Sequence, residues 1–279
     1  MKSIQKLLLF LTIATFGYGC DGAIESEYVE QITVAGFIYP GEPIDSVILR
    51  YTVPFGQSYN DSSFAVVGAD VRIRVDGKEY QLLPGSIRGR YYLPATDLIV
   101  EGGKEYELLI KKDQHDIYAR TRVPMPIAYT NLETSLPADR ILPLDTNNAS
   151  GFSYTLTAGP TQPTILYMLQ VDALDTTVGK IYTNPQAGPP VDTAAYVRNS
   201  FIQTAPRVTI YSRLFGWFGP NRMTMLAMDS NWVDYKRQVG YGERGFSYQS
   251  SLNKIKGGLG IWGSAAKDTV TVYIKYQPN

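Results

Sequence analysis

Chemistry in a protein needs a nucleophile with its base, a ligand set for a metal, a phosphate-binding loop or a reactive thiol, and this chain offers few candidates for each. Its one histidine, His115, lies on the polar run Lys111-Lys112-Asp113-Gln114-His115-Asp116. That run reads as a solvated turn, and a Ser-His-Asp triad through His115 needs partners that no other feature names. Ser251-x-x-Lys254 has the spacing at which a lysine helps activate a serine nucleophile, but no Ser-Asp-Asn or Lys-Thr-Gly accompanies it, so chance explains it better. Gly258-x-Gly260-x-x-Gly263 has the spacing of a dinucleotide-binding loop. No helix is expected to open after Gly263, so these glycines are read instead as a tight turn or bulge where chains approach closely. Asp145-Thr146-Asn147-Asn148-Ala149-Ser150 lacks the Asp or Asn and then the Gly that a calcium loop carries at its fifth and sixth positions; a carboxylate calcium site stays open. One histidine and one cysteine do not make the usual zinc sets. The chain is therefore read as non-enzymatic, with no cofactor.

The one thiol has a different chemistry. Lys2 and Lys6 precede an apolar run, residues 7–16, that ends in Gly17-Tyr18-Gly19-Cys20. This ten-residue run, apolar but for Thr12 and Thr15, suits the core of an export signal, ~7–15 residues long, and falls short of the ~20 needed to span a bilayer. Cys20 follows the small residue Gly19, where a bacterial lipoprotein is cleaved and its new N-terminal cysteine acylated. Residues 1–19 are thus expected to be a lipoprotein signal peptide, Cys20 the lipid attachment to a membrane, and residues 20–29 a polar tether. An ordinary cleaved signal with an incidental cysteine is the alternative.

Cutting before Cys20 leaves 24 Lys+Arg against 26 Asp+Glu, a net charge of −2. So small a charge gives no general attraction for nucleic acid, which is not expected as a partner. Without a second cysteine the fold cannot rest on disulfides, so apolar burial must hold it.

The elements that would position any site read as strands. Val71-Arg72-Ile73-Arg74-Val75 alternates with period two, burying three β-branched residues and exposing both arginines, and Asp76-Gly77 suits the type I′ turn of a hairpin with residues 78–83. With residues 31–34, 44–53, 89–93, 104–111 and 116–123 this makes seven strands, the count of an immunoglobulin- or fibronectin-like sandwich. Pro124-Met125-Pro126 is the expected boundary. Residues 30–123 are therefore predicted to be one β-sandwich able to fold alone, and 124–279 a second β-rich domain, giving an all-β protein with one short helix. In the second half residues 152–157 and 269–275 alternate, 164–173 is apolar on both faces, 208–210 and 223–228 continue the sheet, and 183–192 reads as a long loop. Trp232, Tyr235 and Val239 at helical spacing predict that helix near 230–239, with Asp229 or Ser230 as its cap.

Phe215-Gly216-Trp217-Phe218-Gly219-Pro220 falls where the chain should turn. If exposed, Phe215, Trp217 and Phe218 would form a surface for sugar rings or for docking to a transporter; the competing reading is core packing, the commoner fate of large aromatics.

The order of a lipidated cysteine, Val34-Ala35-Gly36-Phe37-Ile38-Tyr39-Pro40-Gly41-Glu42-Pro43, the aromatic helix Trp232-Val233-Asp234-Tyr235 and the stretch 253–263, with Asn253-x-Ile255-x-Gly257-Gly258-x-Gly260, resembles an uncharacterised outer-membrane lipoprotein family of Bacteroidota, domain of unknown function 4249. Gly17 departs from the Leu or similar residue usual at that position. The resemblance implies an envelope lipoprotein of the outer membrane, accessory to a TonB-dependent transporter. A stand-alone module binding glycan or peptide, and an unrecognised enzyme, are the other readings.

Overall fold

The computed structural model describes residues 28–54, 56–58, 60–144, 151–162, 165–181, 197–200, 202–242 and 254–277. The expected signal and Cys20, most of the expected tether, the 183–192 stretch, the Asp145 to Ser150 run and Ser251 lie outside the described residues.

The alternation read in the first half becomes eight strands: β1 (Ile32–Ile38), β2 (Val47–Tyr51), β3 (Asp70–Val75), β4 (Lys78–Gln81), β5 (Leu83–Pro84), β6 (Arg90–Tyr92), β7 (Glu105–Lys112) and β8 (His115–Arg122). Asp76 and Gly77 take φ of +51° and +77°, the left-handed pair that a type I′ turn requires. The sheet β4-β3-β7-β8 lies over β1-β2-β6-β5. Between them, Val71, Ile73, Tyr106, Leu108, Ile110, Ile117 and Ala119 meet Ile32, Val34, Val47, Leu49 and Tyr91 in one buried core.

The second half adds β9 (Ala128–Tyr129), the single-turn helix α1 (Leu132–Ser135), β10 (Ile141–Leu144), β11 (Ser153–Gly159), β12 (Leu166–Ala173), β13 (Val197–Asn199), β14 (Arg207–Tyr211), β15 (Gly219–Met228), α2 (Ser230–Gly242) and β16 (Leu259–Tyr276). Here β14-β11-β9 covers the run β13-β12-β15-β16, and Leu156, Val208 and Ile210 pack against Leu169, Val171, Met223, Met225 and Ile274. β12 is covered on both faces, as its two-sided apolar sequence predicts: Leu169 and Val171 turn to this core, whereas Met168 turns to a separate cluster with Trp232 and Val233 of α2. The Trp232 ring lies 4.4 Å from that of Phe37 on β1, so the helix also touches the first half.

β16 links the two sides of the expected boundary after Val123. Its first residues run parallel to β1, Thr33 opposite Leu259 through Ile38 opposite Ser264, and its remainder runs antiparallel to β15, Ala265 opposite Met228 through Ile274 opposite Gly219. One strand of 18 residues, ~60 Å at the usual rise, therefore belongs to both sandwiches. Trp262 and Ile255 join the first core, where the Trp262 indole N–H donates to the Tyr106 carbonyl at 3.1 Å. The glycines read as a turn lie in or beside this strand instead. Gly260 has φ +107°, and a Cβ there would collide with the Val34 carbonyl oxygen, so the close approach was foreseen but not its place inside a ladder.

The first sandwich is thus completed by the far end of the chain. A fragment ending at Val123 should unfold without cooperativity, and in the full chain Trp262→Ala should cost ~3–5 kcal/mol, the range for emptying a buried indole site. Denaturant melts of both check this; a sharp transition for the fragment would show that its core is self-sufficient.

Candidate functional site

The two halves meet at a buried polar joint. Asp229, Thr121 and Ser264 are 5 %, 2 % and 0 % exposed, and come from the end of β15, from β8 and from the point where β16 passes from one sandwich to the other. The Thr121 hydroxyl donates to Asp229 Oδ2 at 2.6 Å and lies 2.7 Å from Ser264 Oγ. Ser264 Oγ donates to the Arg122 carbonyl at 3.1 Å. Asp229 Oδ1 accepts from the backbone N–H of Trp232 at 3.0 Å and of Ser264 at 3.2 Å, so the carboxylate caps α2 and pins it to β16 at once. Burial raises the Asp229 pKa above the ordinary carboxylate value, and the donors around it only partly offset this.

Beside the joint opens a cleft of about 1030 Å³, at the upper limit of the ~300–1,000 Å³ usual for small-ligand sites. β8 supplies Tyr118, Arg120 and Arg122, the linker Val123, Pro124 and Met125, the second sandwich Gln162 and Ile165, α2 Asn231, and the approach to β16 Lys254 and Lys256. Arg120 reaches Glu105 at 3.8 Å and Lys254 reaches Asp234 at 3.6 Å. The Lys256 ammonium lies 5.7 Å from the Tyr118 ring centre. Tyr118 Oη donates to Glu107 at 2.7 Å, and that carboxylate, with burial, pushes the phenol pKa up. The arrangement presents cations, backbone amides and an apolar floor, which is the equipment of a binding site. Among the described residues no group of three or more His, Cys, Asp or Glu is placed to hold a metal ion.

The residues singled out from sequence fare unevenly. Phe215 does not project: it is 0 % exposed and meets Phe152 edge-on at 5.6 Å in the second core. Trp217 is half-buried under the Lys180 ammonium, 5.1 Å away, and Phe218 packs edge-on to Tyr276 at 5.6 Å. The projecting surface is thereby corrected for Phe215 in favour of core packing: Gly219, at φ +93°, lets the turn fold back on its sandwich. His115 opens β8 with its ring 6.5 Å from that of Tyr51. Lys254 enters the cleft, though not as a serine's partner, and Cys20 is outside the described residues. The sequence reading missed Arg120 and Arg122 as a site. Their spacing by two on the solvent face of a strand was visible, but not that Lys254 and Asn231 would be brought opposite them.

A family model described as "Domain of unknown function (DUF4249)" matches residues 22–269. No curated protein matches. Among solved structures, the chain is similar to the three fibronectin domains FN1–FN3 of chicken CNTN1, at 9 % identity over 88 % of this chain and 67 % of that one, with a TM-score of 0.24. It is also similar to a two-domain fibronectin type III segment of chicken tenascin, at 11 % identity over 71 % and 89 % and a TM-score of 0.19. Trypsin-activated alpha-2-macroglobulin from Escherichia coli matches at 11 % identity over 88 % of this chain but 16 % of that one, with a TM-score of 0.22.

Three substitutions check this geometry. Asp229→Asn keeps both backbone acceptor roles and can donate to Thr121, so it should be at least as stable as the parent at neutral pH. Because the folded pKa of Asp229 is raised, its ionisation lowers stability as pH rises from ~3.9 through the folded value, and the gap between parent and variant should close below that window. Asp229→Ala strands the N–H groups of Trp232 and Ser264 and should lose ~3 kcal/mol or more; melts across pH decide. Phe215→Ala should cost ~3–5 kcal/mol, and an unchanged melting temperature would return that ring to the surface.

Proposed function

The chain belongs to the DUF4249 family, and on that premise we propose that it is a lipid-anchored protein of the outer membrane that does no chemistry of its own and works as an accessory to a TonB-dependent transporter or a surface assembly. One observation carries the anchor. The only cysteine closes an apolar run behind Gly19, and the family match begins at residue 22, so the reading assigns residues 1–19 to a leader and Cys20 to the acylated N-terminus. Among the described residues no helix is long and apolar enough to cross a membrane. A shared strand supports the accessory role in mechanical terms, since two sandwiches locked by one ladder hold a partner at a fixed distance and angle.

The second reading, a surface module that binds glycan or peptide by itself, is favoured by the cleft at the joint. Crosslinking in intact envelopes separates the two: an accessory protein is captured with a barrel protein, a stand-alone module is not.

The anchor is tested by Cys20→Ser. The parent should sediment with washed membranes and incorporate labelled palmitate, while the variant should be released unlabelled with the same melting curve. A variant that stays in the membrane fraction with its label intact contradicts the proposal.

A further inference from the structure

We infer that the cleft between the two sandwiches binds an acidic peptide segment, its carboxylates received by Arg120, Arg122, Lys254 and Lys256 and by two backbone amides of β8. The inference shares with the reading above only the premise that the chain acts by binding, and it stands whether or not Cys20 is acylated.

The edge of β8 selects for acceptors. In an antiparallel pair, successive residues turn their backbone groups toward and away from the partner strand. The Val123 N–H donates to Lys104 on the β7 side at 2.9 Å, and the Tyr118 N–H donates outward to Lys256 at 3.0 Å, so the even-numbered residues of β8 face the cleft. The outward carbonyls of Arg120 and Arg122 already accept, from Asn231 Nδ2 at 2.6 Å and from Ser264 Oγ at 3.1 Å. Their amides have no acceptor among the described residues. A further β-strand would need both donors and acceptors along this edge. Only donors are left, so the ligand that fits brings oxygens.

The charge points the same way. Farther along the same face of the sheet the arginines are saturated: Arg72 bridges Asp70 and Glu79 at 2.8 and 3.2 Å, and Arg74 bridges Glu79 and Glu107 at 2.6 and 3.0 Å. In the cleft, Arg122 makes no ion pair among the described residues, Arg120 and Lys254 make only the long ones given above, and Lys256 faces a ring. Glu105 is the one open carboxylate in the lining, because Asp229 is buried in the joint. A concentration of weakly paired cations on a chain of zero formal net charge is complementary to an acidic partner.

The rest of the lining favours a peptide over a sugar or a lipid surface. Val123, Pro124, Ile165 and the 49 % exposed Met125 give an apolar floor for side chains between carboxylates. The one aromatic ring in the lining, Tyr118, has Lys256 over its face, which leaves a sugar no open platform for stacking. The cations line a recess, whereas a membrane surface is met by a protruding patch.

The test titrates the full chain, in detergent, against a short fluorescein-labelled peptide alternating Glu and Leu, read by anisotropy. The Glu peptide should bind ~10-fold or more tightly than its Gln counterpart, and raised salt should weaken it. Arg120→Ala with Arg122→Ala should reduce affinity ~10-fold or more at an unchanged melting temperature. Should that variant melt early, Lys254→Gln with Lys256→Gln carries the same expectation from a separate segment. Equal affinity for the Glu and Gln peptides, or parent-like binding by a folded variant, overturns the inference. So does tighter binding of phosphatidylglycerol vesicles or of a sulfated oligosaccharide that the same variants abolish. Release of the Cys20→Ser protein from membranes has no bearing on these outcomes.

Discussion

The pairing of β16 with β1 on one edge and with β15 on the other is the constraint on which the rest depends. Its first residues close the first sandwich and its last ones form the centre of the second, so neither core is complete unless this strand holds one register along its whole length. A slip by one residue would turn every side chain to the opposite face, moving Trp262 out from under Tyr106 and Ile274 away from the second core. Gly260 protects the register. Only a residue without a Cβ accepts its positive φ against the Val34 carbonyl, so the ladder tolerates that position in one place. Partners so distant in sequence must also wait for the chain to be complete before they pair, which makes this a slow topology.

Where β16 leaves one sandwich for the other, the joint is polar rather than apolar. Burying the Asp229 carboxylate is costly, and it is offset only because each oxygen has donors. The return is directional. Apolar contacts would let the two sandwiches slide, whereas bonds from Asp229 to Thr121, Ser264 and the first turn of α2 fix their angle. The cleft inherits its shape from that angle, because Arg120 and Arg122 belong to one sandwich and Gln162 and Ile165 to the other.

How much was legible depended on whether one face of an element meets solvent. β3, β4, β7 and β8 have one wet face, so their alternation and the Asp76-Gly77 turn stood plainly in the sequence. The tail of β16 did too, where Thr269, Thr271 and Tyr273 alternate with Val270, Val272 and Ile274. Its first half did not: from Ile261 to Ala266 every residue is buried, a helix covering one face and a sandwich the other, so no period of two survives and the glycines read as a turn. The link across the expected boundary at Pro124 went unseen for the same reason, since the strand that joins the two sandwiches was hidden. The aromatic turn at Phe215 was ambiguous in kind, and the neighbouring ring of Phe152 decided it. Of the cleft, only the paired arginines of β8 could be seen in advance.

Native-state hydrogen exchange along β16 tests the shared-strand account most directly. If one ladder holds both sandwiches together, the bonded amides from Leu259 to Ile274 should exchange only through the opening that unfolds the whole molecule, with one common free energy and one dependence on denaturant. Amides before Ser264 that open at a distinctly lower free energy than those after Ala265 would contradict it, and would return the molecule to two sandwiches that fold separately.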